Sequence, residues 1–396
     1  MLLRACGLAL LAAPAAAAQT PAAATPSPHV RGWRLTPSVT TVEEYDDNVY
    51  LLSSGKKDKL ASVSASDSLS GRYNDMPSAG DLITTLRAGV EAHGRGVGGR
   101  ALTIAPEAAY EFYARNAERR TEQFAVTIAQ AMPRGGRMRL KADLTPSTFF
   151  KNYLADAVDA DNSGSITPDE RVYARGAYAE REVSADYRVR LAKASKSRPM
   201  GASLQVGAGY YGRGYERPFA ARDLSGPTAS LGLQLDFRTG VELDLDYDYA
   251  ALGATPARAV MLLDENQFGV DFNGDGSTND VNARAFEMVD HSRTEHGISL
   301  GLKAEPTKAL DIRLDVAHRS RRFGSTQPYD VANNGRRDSR NEFGAGVSWK
   351  LASALRLNAA VLLQSQSLNR ANDAAGLGDV ADYTRHRTSV GLTYTY

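Results

Sequence analysis

From Trp33 onward, apolar and polar residues alternate one by one through segment after segment of this chain. Leu231, Leu233, Leu235 and Phe237 alternate with Gly232, Gln234 and Asp236, and Val241, Leu243, Leu245, Tyr247 and Tyr249 with Glu242, Asp244, Asp246 and Asp248. The same rhythm runs through Ile298–Leu302, Leu310–Val316 and Leu355–Val361. It returns at the end of the chain, where Val390, Leu392, Tyr394 and Tyr396 share one face. A period of two is that of a strand, with successive side chains on opposite faces. Repeated over many segments of roughly 10–15 residues, it fits strands with lipid on one side and a polar lumen on the other. A soluble sandwich with one wet face competes with this reading, but the uniformity of the alternation favours a transmembrane barrel.

The pattern predicts fourteen strands, at 33–46, 81–94, 101–115, 121–132, 137–151, 177–191, 202–216, 226–238, 240–251, 291–305, 309–322, 339–351, 355–368 and 384–396. The fold class is therefore all-β, a transmembrane antiparallel up-and-down barrel. Alternate connections are short (95–100, 133–136, 192–201, 238–240, 305–308, 352–354), as periplasmic turns are. The other set holds the long polar insertions expected outside: 47–80, 152–176, 217–225, 252–290, 323–338 and 369–383. Pro106 and Pro146 inside proposed strands fit poorly, and 116–120 is short for an outer loop.

Composition narrows the picture. Residues 1–18 read as a signal peptide, with Arg4, an apolar Gly7–Ala13 core and a small-residue cleavage site near Ala18. Residues 19–32, rich in Ala, Pro and Thr, read as a disordered linker ahead of a barrel spanning 33–396. Removing the leader takes Arg4 and the single cysteine, Cys6, leaving 46 Lys+Arg against 46 Asp+Glu. Such balance argues against nucleic-acid binding, and a cysteine-free mature chain rules out thiol catalysis. A mean hydropathy of -0.37 argues against membrane-spanning helices but not against a barrel.

Two resemblances follow. The alternating, aromatic-ended stretch Ser389–Tyr396 resembles the C-terminal signal that addresses Gram-negative outer-membrane proteins to the barrel assembly machinery. Val42-Glu43-Glu44-Tyr45-Asp46-Asp47-Asn48-Val49-Tyr50 resembles the first strand of a porin family of Gram-negative outer membranes, some of whose members accompany exopolysaccharide systems. The resemblance implies an outer-membrane location and lipid contact.

Candidate chemistry lies in the predicted outer loops. Residues 159–170 resemble the twelve-residue EF-hand calcium loop along their whole length. Asp159, Asp161 and Ser163 take positions one, three and five, and Gly164 the sharp turn. Ser165 offers its carbonyl, Ile166 the apolar anchor, Thr167 a direct or water-mediated contact, and Glu170 a bidentate carboxylate. Residues 271–282 resemble a dockerin calcium loop, with Asp271, Asn273, Asp275, Ser277 and Asn279 as ligands. There Asn282 stands where an acid is usual, which weakens the site unless Asp280 substitutes. The expected cofactor is Ca2+.

The predicted lumen is charged with both signs, Asp236, Glu242, Asp244, Asp246 and Asp248 opposing Arg139, Lys141, Arg188, Arg190, Lys303, Arg313 and Arg356. Aromatics such as Tyr110, Phe112, Phe149, Phe150, Tyr210 and Tyr394 sit near strand ends, as interfacial girdles do. Asp290, His291 and Ser292 are adjacent, but neighbours on a strand face opposite ways, so no catalytic dyad is expected. The chain thus reads as a non-enzymatic porin-like channel for small polar solutes or oligosaccharides with a calcium-binding outer loop. The alternative is a non-conducting structural or adhesive barrel whose calcium-ordered loops bind surface polysaccharide or a partner.

Overall fold

The computed structural model describes residues 29–30, 32–62, 70–195, 199–369 and 382–396. The signal-peptide assignment and most of the linker lie outside them; His29–Val30 pairs back onto Trp33 and Arg34. The sheet begins with β1 (Trp33–Asp46), β2 (Asp81–Arg95), β3 (Ala101–Tyr113), β4 (Thr121–Ala131) and β5 (Arg137–Ala157). It continues with β6 (Arg171–Ala192), β7 (Met200–Tyr215), β8 (Leu224–Phe237), β9 (Val241–Leu252) and β10 (Arg293–Thr307). It finishes with β11 (Leu310–Phe323), β12 (Arg337–Lys350), β13 (Leu355–Leu368) and β14 (Tyr383–Thr395). Each strand pairs antiparallel with the next, and β14 pairs with β1 from Arg387–Asp46 to Thr395–Ser38, closing an up-and-down barrel of fourteen strands.

The register explains the alternation. Leu204, Leu233, Leu245, Leu300, Val316, Phe343 and Leu363 are successive cross-strand partners and form one apolar row over seven strands. Leu300 is 47% exposed and Val316 53%, so the barrel turns its large apolar side chains outward. Apolar surface left in water forfeits roughly 25 cal/mol per Å². An outward belt of this extent therefore needs hydrocarbon around it, which makes the fold a transmembrane β-barrel. Partners of the opposite parity, such as Asp244, Asp315 and Arg387, face the lumen.

The two prolines sit where the ladder is interrupted. Pairing of β2 with β3 skips from Gly89–Glu107 to Ala92–Ile104, and Pro106 lies in that gap. Pro146 lies in the register shift between Thr145 and Thr148. A missing N–H costs little where no partner is waiting.

The main departure from expectation is the β5–β6 hairpin, which runs six residues further on each strand than the alternation indicates, to Ala157 and from Arg171. Thr148, Phe149, Lys151, Asn152 and Tyr153 are all buried, so no wet face marks the strand there. Tyr153 is covered by Tyr215, Phe219 and Arg222, and Phe149 and Asn152 by the 47–80 segment. Its Val49, Tyr50, Leu52, Leu60, Tyr73 and Met76 pack with Phe149 and with Ile83, a lumen-facing residue of β2. The described residues of this segment, 47–62 and 70–80, therefore fold inside the rim, and Phe149 belongs to their core instead of a lipid-facing girdle. They also account for the short 116–120 connection: the Tyr50 hydroxyl donates to Asn116 Oδ1 at 2.9 Å, and Arg119 stacks over the Tyr50 ring at 5.1 Å.

Candidate functional site

Between β9 and β10 the chain forms a loop hairpin, Ala257–Leu263 paired with Ala283–Val289. Its inward faces make two apolar clusters. Val260 and Leu262 pack with Ala157, Leu154 and Ile166; Met261, Leu263, Ala285 and Val289 pack with Phe268, Phe272, Tyr329 and Val331. Phe268, Phe272 and Tyr329 meet edge to face at 5.1–5.9 Å. Three outer loops are thus joined into one cap, and Ile166, the expected apolar anchor, is what ties in the first.

The first calcium-loop candidate brings its three acids together. Carboxylate oxygens of Asp159, Asp161 and Glu170 lie within 4.8 Å of one another, the one such acidic triad among the described residues. Asp159 accepts the amides of Ser163 and Gly164 at 3.0 and 2.9 Å, with Gly164 at φ +84°. Ser163 Oγ lies 3.1 Å from the Ser165 carbonyl oxygen, so these two expected donors are adjacent. Glu170 accepts from Ala160 N at 2.7 Å, Thr167 N at 2.8 Å and the Thr167 hydroxyl at 2.7 Å. Those donors, the Thr167 amide foremost, hold its carboxyl down to about 2. The set of hard oxygen donors fits calcium. The flanking elements are strands of the β5–β6 hairpin, with no helix pair to open.

The second candidate has the same turn chemistry with fewer charges. Asp271 accepts from Gly274 N at 2.6 Å and Gly276 N at 2.8 Å, Asn273 from Asp275 N at 3.1 Å, and Asp275 from Ser277 N at 2.7 Å. Ser277 Oγ accepts from Asn279 N at 3.2 Å. Asp280 reaches both loops: it accepts from Asn273 Nδ2 of its own loop at 2.9 Å and from Ser165 Oγ of the first at 3.3 Å. Fully buried Glu265 supports the turn, accepting from Phe272 N at 2.6 Å.

The sequence did not reveal that the two loops touch. Asn273 Nδ2 donates to the Gly164 carbonyl at 3.1 Å, Val281 N to Ser165 Oγ at 3.1 Å, and Ile166 N to the Asn282 carbonyl at 3.3 Å. A Cβ on Gly164 would fall on the Asp280 carboxylate, 2.6 Å from its Cγ, so the glycine is what allows this approach.

In the lumen, charges pair within one strand or across one or two strands: Lys141–Asp143 at 2.9 Å and Arg313–Asp315 at 2.8 Å on one strand, Arg139–Asp186 at 2.7 Å on adjacent strands, and Arg356–Asp311 at 2.8 Å across β12. Two of the chambers among the described residues share a wall. An inner one of about 570 Å³ carries both signs, including Arg139, Glu182, Asp186, Asp248 and Arg319. An outer one of about 280 Å³ lies at the strand ends beneath the loops. Arg213, Arg293, Arg321 and Arg340 line both. Alternation assigns these arginines to the lumen, but no sequence pattern brings them together. His291 also lines the outer chamber; burial and the Arg222, Arg293 and Arg336 guanidiniums push it well below its ordinary value. Its neighbours serve the backbone, since Asp290 accepts Ser292 N at 2.8 Å and Ser292 Oγ accepts Ala254 N at 2.8 Å.

No family model and no curated protein matches the chain. Among solved structures it is similar to the outer-membrane channel DcaP of Acinetobacter baumannii, with 9% identity, 94% of this chain and 100% of that chain covered, and a TM-score of 0.40. It is similar to an anion-selective porin from Comamonas acidovorans (10% identity, 92% and 99% covered, TM-score 0.38). An outer-membrane channel from Pseudomonas putida F1 gives 9% identity, 95% and 99% covered, and TM-score 0.38. At these values the likeness assigns no solute and no site.

Proposed function

We propose that the protein is a porin-like channel of the outer membrane for small polar solutes or oligosaccharides, with a calcium-binding extracellular loop. The observation that carries this reading is the lumen of the closed barrel, where ion pairs stay local and two chambers joined by shared arginines lie along the axis. Fourteen strands leave more interior than side chains of an eight-stranded barrel have to fill. Calcium held by Asp159, Asp161, Ser163, the Ser165 carbonyl, Thr167 and Glu170 would stiffen the cap beside the mouth, with Asp271, Asn273, Asp275, Ser277 and Asn279 as a weaker site.

The alternative, a non-conducting barrel that presents its cap to surface polysaccharide or a partner, draws support from the described residues of the 47–80 segment, which fold inside the rim. Single-channel conductance of the refolded barrel, with calcium and then chelator, separates the two. Steady ohmic steps support the channel; silence from correctly folded protein refutes it.

A further inference from the structure

The second calcium loop lacks an acid at its last position, where Asn282 stands. Asn282 is committed elsewhere: its backbone is left-handed at φ +63°, and its carbonyl accepts Ile166 N of the first loop at 3.3 Å. A carboxylate from outside the twelve residues reaches the loop instead. Glu265 opens the short turn Glu265–Phe268 that leads into the loop. Its N–H donates to the Asp280 carbonyl at 2.9 Å, and Asn266 Nδ2 donates to the Asn279 carbonyl at 2.9 Å, so the turn is pinned against the closing half of the loop. From there the Glu265 side chain crosses to the opening half, where Oε1 accepts Phe272 N at 2.6 Å and Asn273 N at 3.4 Å.

The first loop shows what that position means. Glu170 accepts the amides of Ala160 and Asp161, the second and third residues of its loop. Phe272 and Asn273 are the second and third residues of theirs. Two further bonds repeat. Asp159 accepts Gly164 N as Asp271 accepts Gly276 N, and Asp161 accepts Ser163 N as Asn273 Oδ1 accepts Asp275 N. Glu265 thus stands to the second loop as Glu170 stands to the first, although it precedes its loop instead of closing it. Its other oxygen adds an independent observation. Glu265 is 0% exposed, and Oε2 has no hydrogen-bond partner among the described residues. A buried carboxylate oxygen left bare is costly, and a bound cation offsets that cost.

We propose that Glu265 is the missing carboxylate ligand of the second loop, holding calcium there through Oε2 together with Asp271, Asn273 and Asp275. This rests on the reading of residues 271–282 as a calcium loop. Each loop then offers three carboxylates, Asp159, Asp161 and Glu170 in one and Glu265, Asp271 and Asp275 in the other. Ligand charge count tunes calcium affinity, so the two sites should lie within about tenfold of each other instead of one being far weaker.

Calorimetric titration of the full mature barrel with calcium chloride tests this. The parent chain should take up two ions of similar affinity. Asp271→Ala should lose one, and Glu265→Gln should weaken the same one by about tenfold or more while leaving the other unchanged. Uptake that Asp271→Ala leaves unaltered overturns the loop reading, and the proposal with it. Uptake that falls with Asp271→Ala but not with Glu265→Gln overturns the proposal alone. Glutamine keeps a carbonyl to accept Phe272 N, so the Phe272 and Asn273 amides should exchange in chelator at the parent rate, which separates a lost ligand from a lost support. Where those amides open, or Glu265→Gln does not fold, carbon-13 titration of the Glu265 carboxyl in the parent chain decides. A shift that saturates with the second site upholds the proposal, and an unmoved signal overturns it.

Discussion

Replacing Gly164 by alanine should pry apart the two outer loops, and Gly276→Ala is its internal control. Both glycines occupy the sixth position of their loops with nearly the same backbone, φ +84° and +88°. The left-handed penalty for an added Cβ is therefore shared, roughly 1–2 kcal/mol. The surroundings differ. A Cβ at Gly276 meets nothing within 4 Å, whereas one at Gly164 runs into the Asp280 carboxylate and comes within 2.9 Å of Asn273 Nδ2. Asp280 and Asn273 carry two of the four hydrogen bonds that join the loops. At about 0.5 kcal/mol each, the low end appropriate to exposed bonds, those four contribute about 2 kcal/mol. Gly164→Ala should thus cost about 3–4 kcal/mol locally and Gly276→Ala about 1–2. The assay is amide hydrogen exchange on the folded barrel in chelator, so that no metal contributes. Exchange should rise by two orders of magnitude or more in both 159–170 and 271–282 for Gly164→Ala, and about tenfold in 271–282 alone for Gly276→Ala. Unchanged exchange at 271–282 in Gly164→Ala would refute the joined-loop geometry.

Asp159→Ala combined with Glu170→Ala should abolish calcium binding at the first loop by calorimetry; surviving high-affinity heat would sink the ligand assignment. Glu170, with its carboxyl held at about 2, should stay ionised well below the ordinary carboxylate range. Because its folded value is depressed, its contribution is present above about pH 4.5 and fades as pH falls toward 2. Carbon-13 titration of the Glu170 carboxyl checks the midpoint. His291 is also depressed, so its contribution is complete above about 6.5 and is lost on acidification below that. Melting at pH 5.5 against 7.5 should show a drop that His291→Asn removes. Tyr50→Phe should loosen the inward-folded 47–80 segment by about 1 kcal/mol, since Asn116 loses a buried donor, and proteolysis rates of that segment report it.

The barrel was legible in the sequence because one physical demand, lipid outside and water inside, acts on every strand alike. All fourteen strands form where the alternation places them. The alternation fails at Thr148–Tyr153, because residues distant in the chain, Val49–Met76 on Phe149 and Tyr215 and Phe219 on Tyr153, bury successive positions, and that erases the period. The gathering of Asp159, Asp161 and Glu170 was legible as a spacing of oxygens within twelve residues. The clasp of this loop with the second was not, since it depends on one absent Cβ and on side chains more than a hundred residues away. Lumen parity identified Arg139, Lys141, Arg313 and Arg356, but the grouping of Arg213, Arg293, Arg321 and Arg340 needed the curvature that brings distant strands face to face.

The seam between β14 and β1 also sets the order of events in time. Its partners, among them the Arg387–Glu44 ion pair and the Thr40–Thr393 hydroxyl bond, stand 343 and 353 residues apart. Bringing such distant ends together costs about 5 kcal/mol of chain entropy, and none of the seam's bonds can repay it until the final strand exists. Until then β1 is an open edge, able to pair with any strand that drifts past. Every earlier hairpin can form as it emerges; this junction alone must wait for the whole molecule, so a chain stalled before it is an unsealed and adhesive sheet.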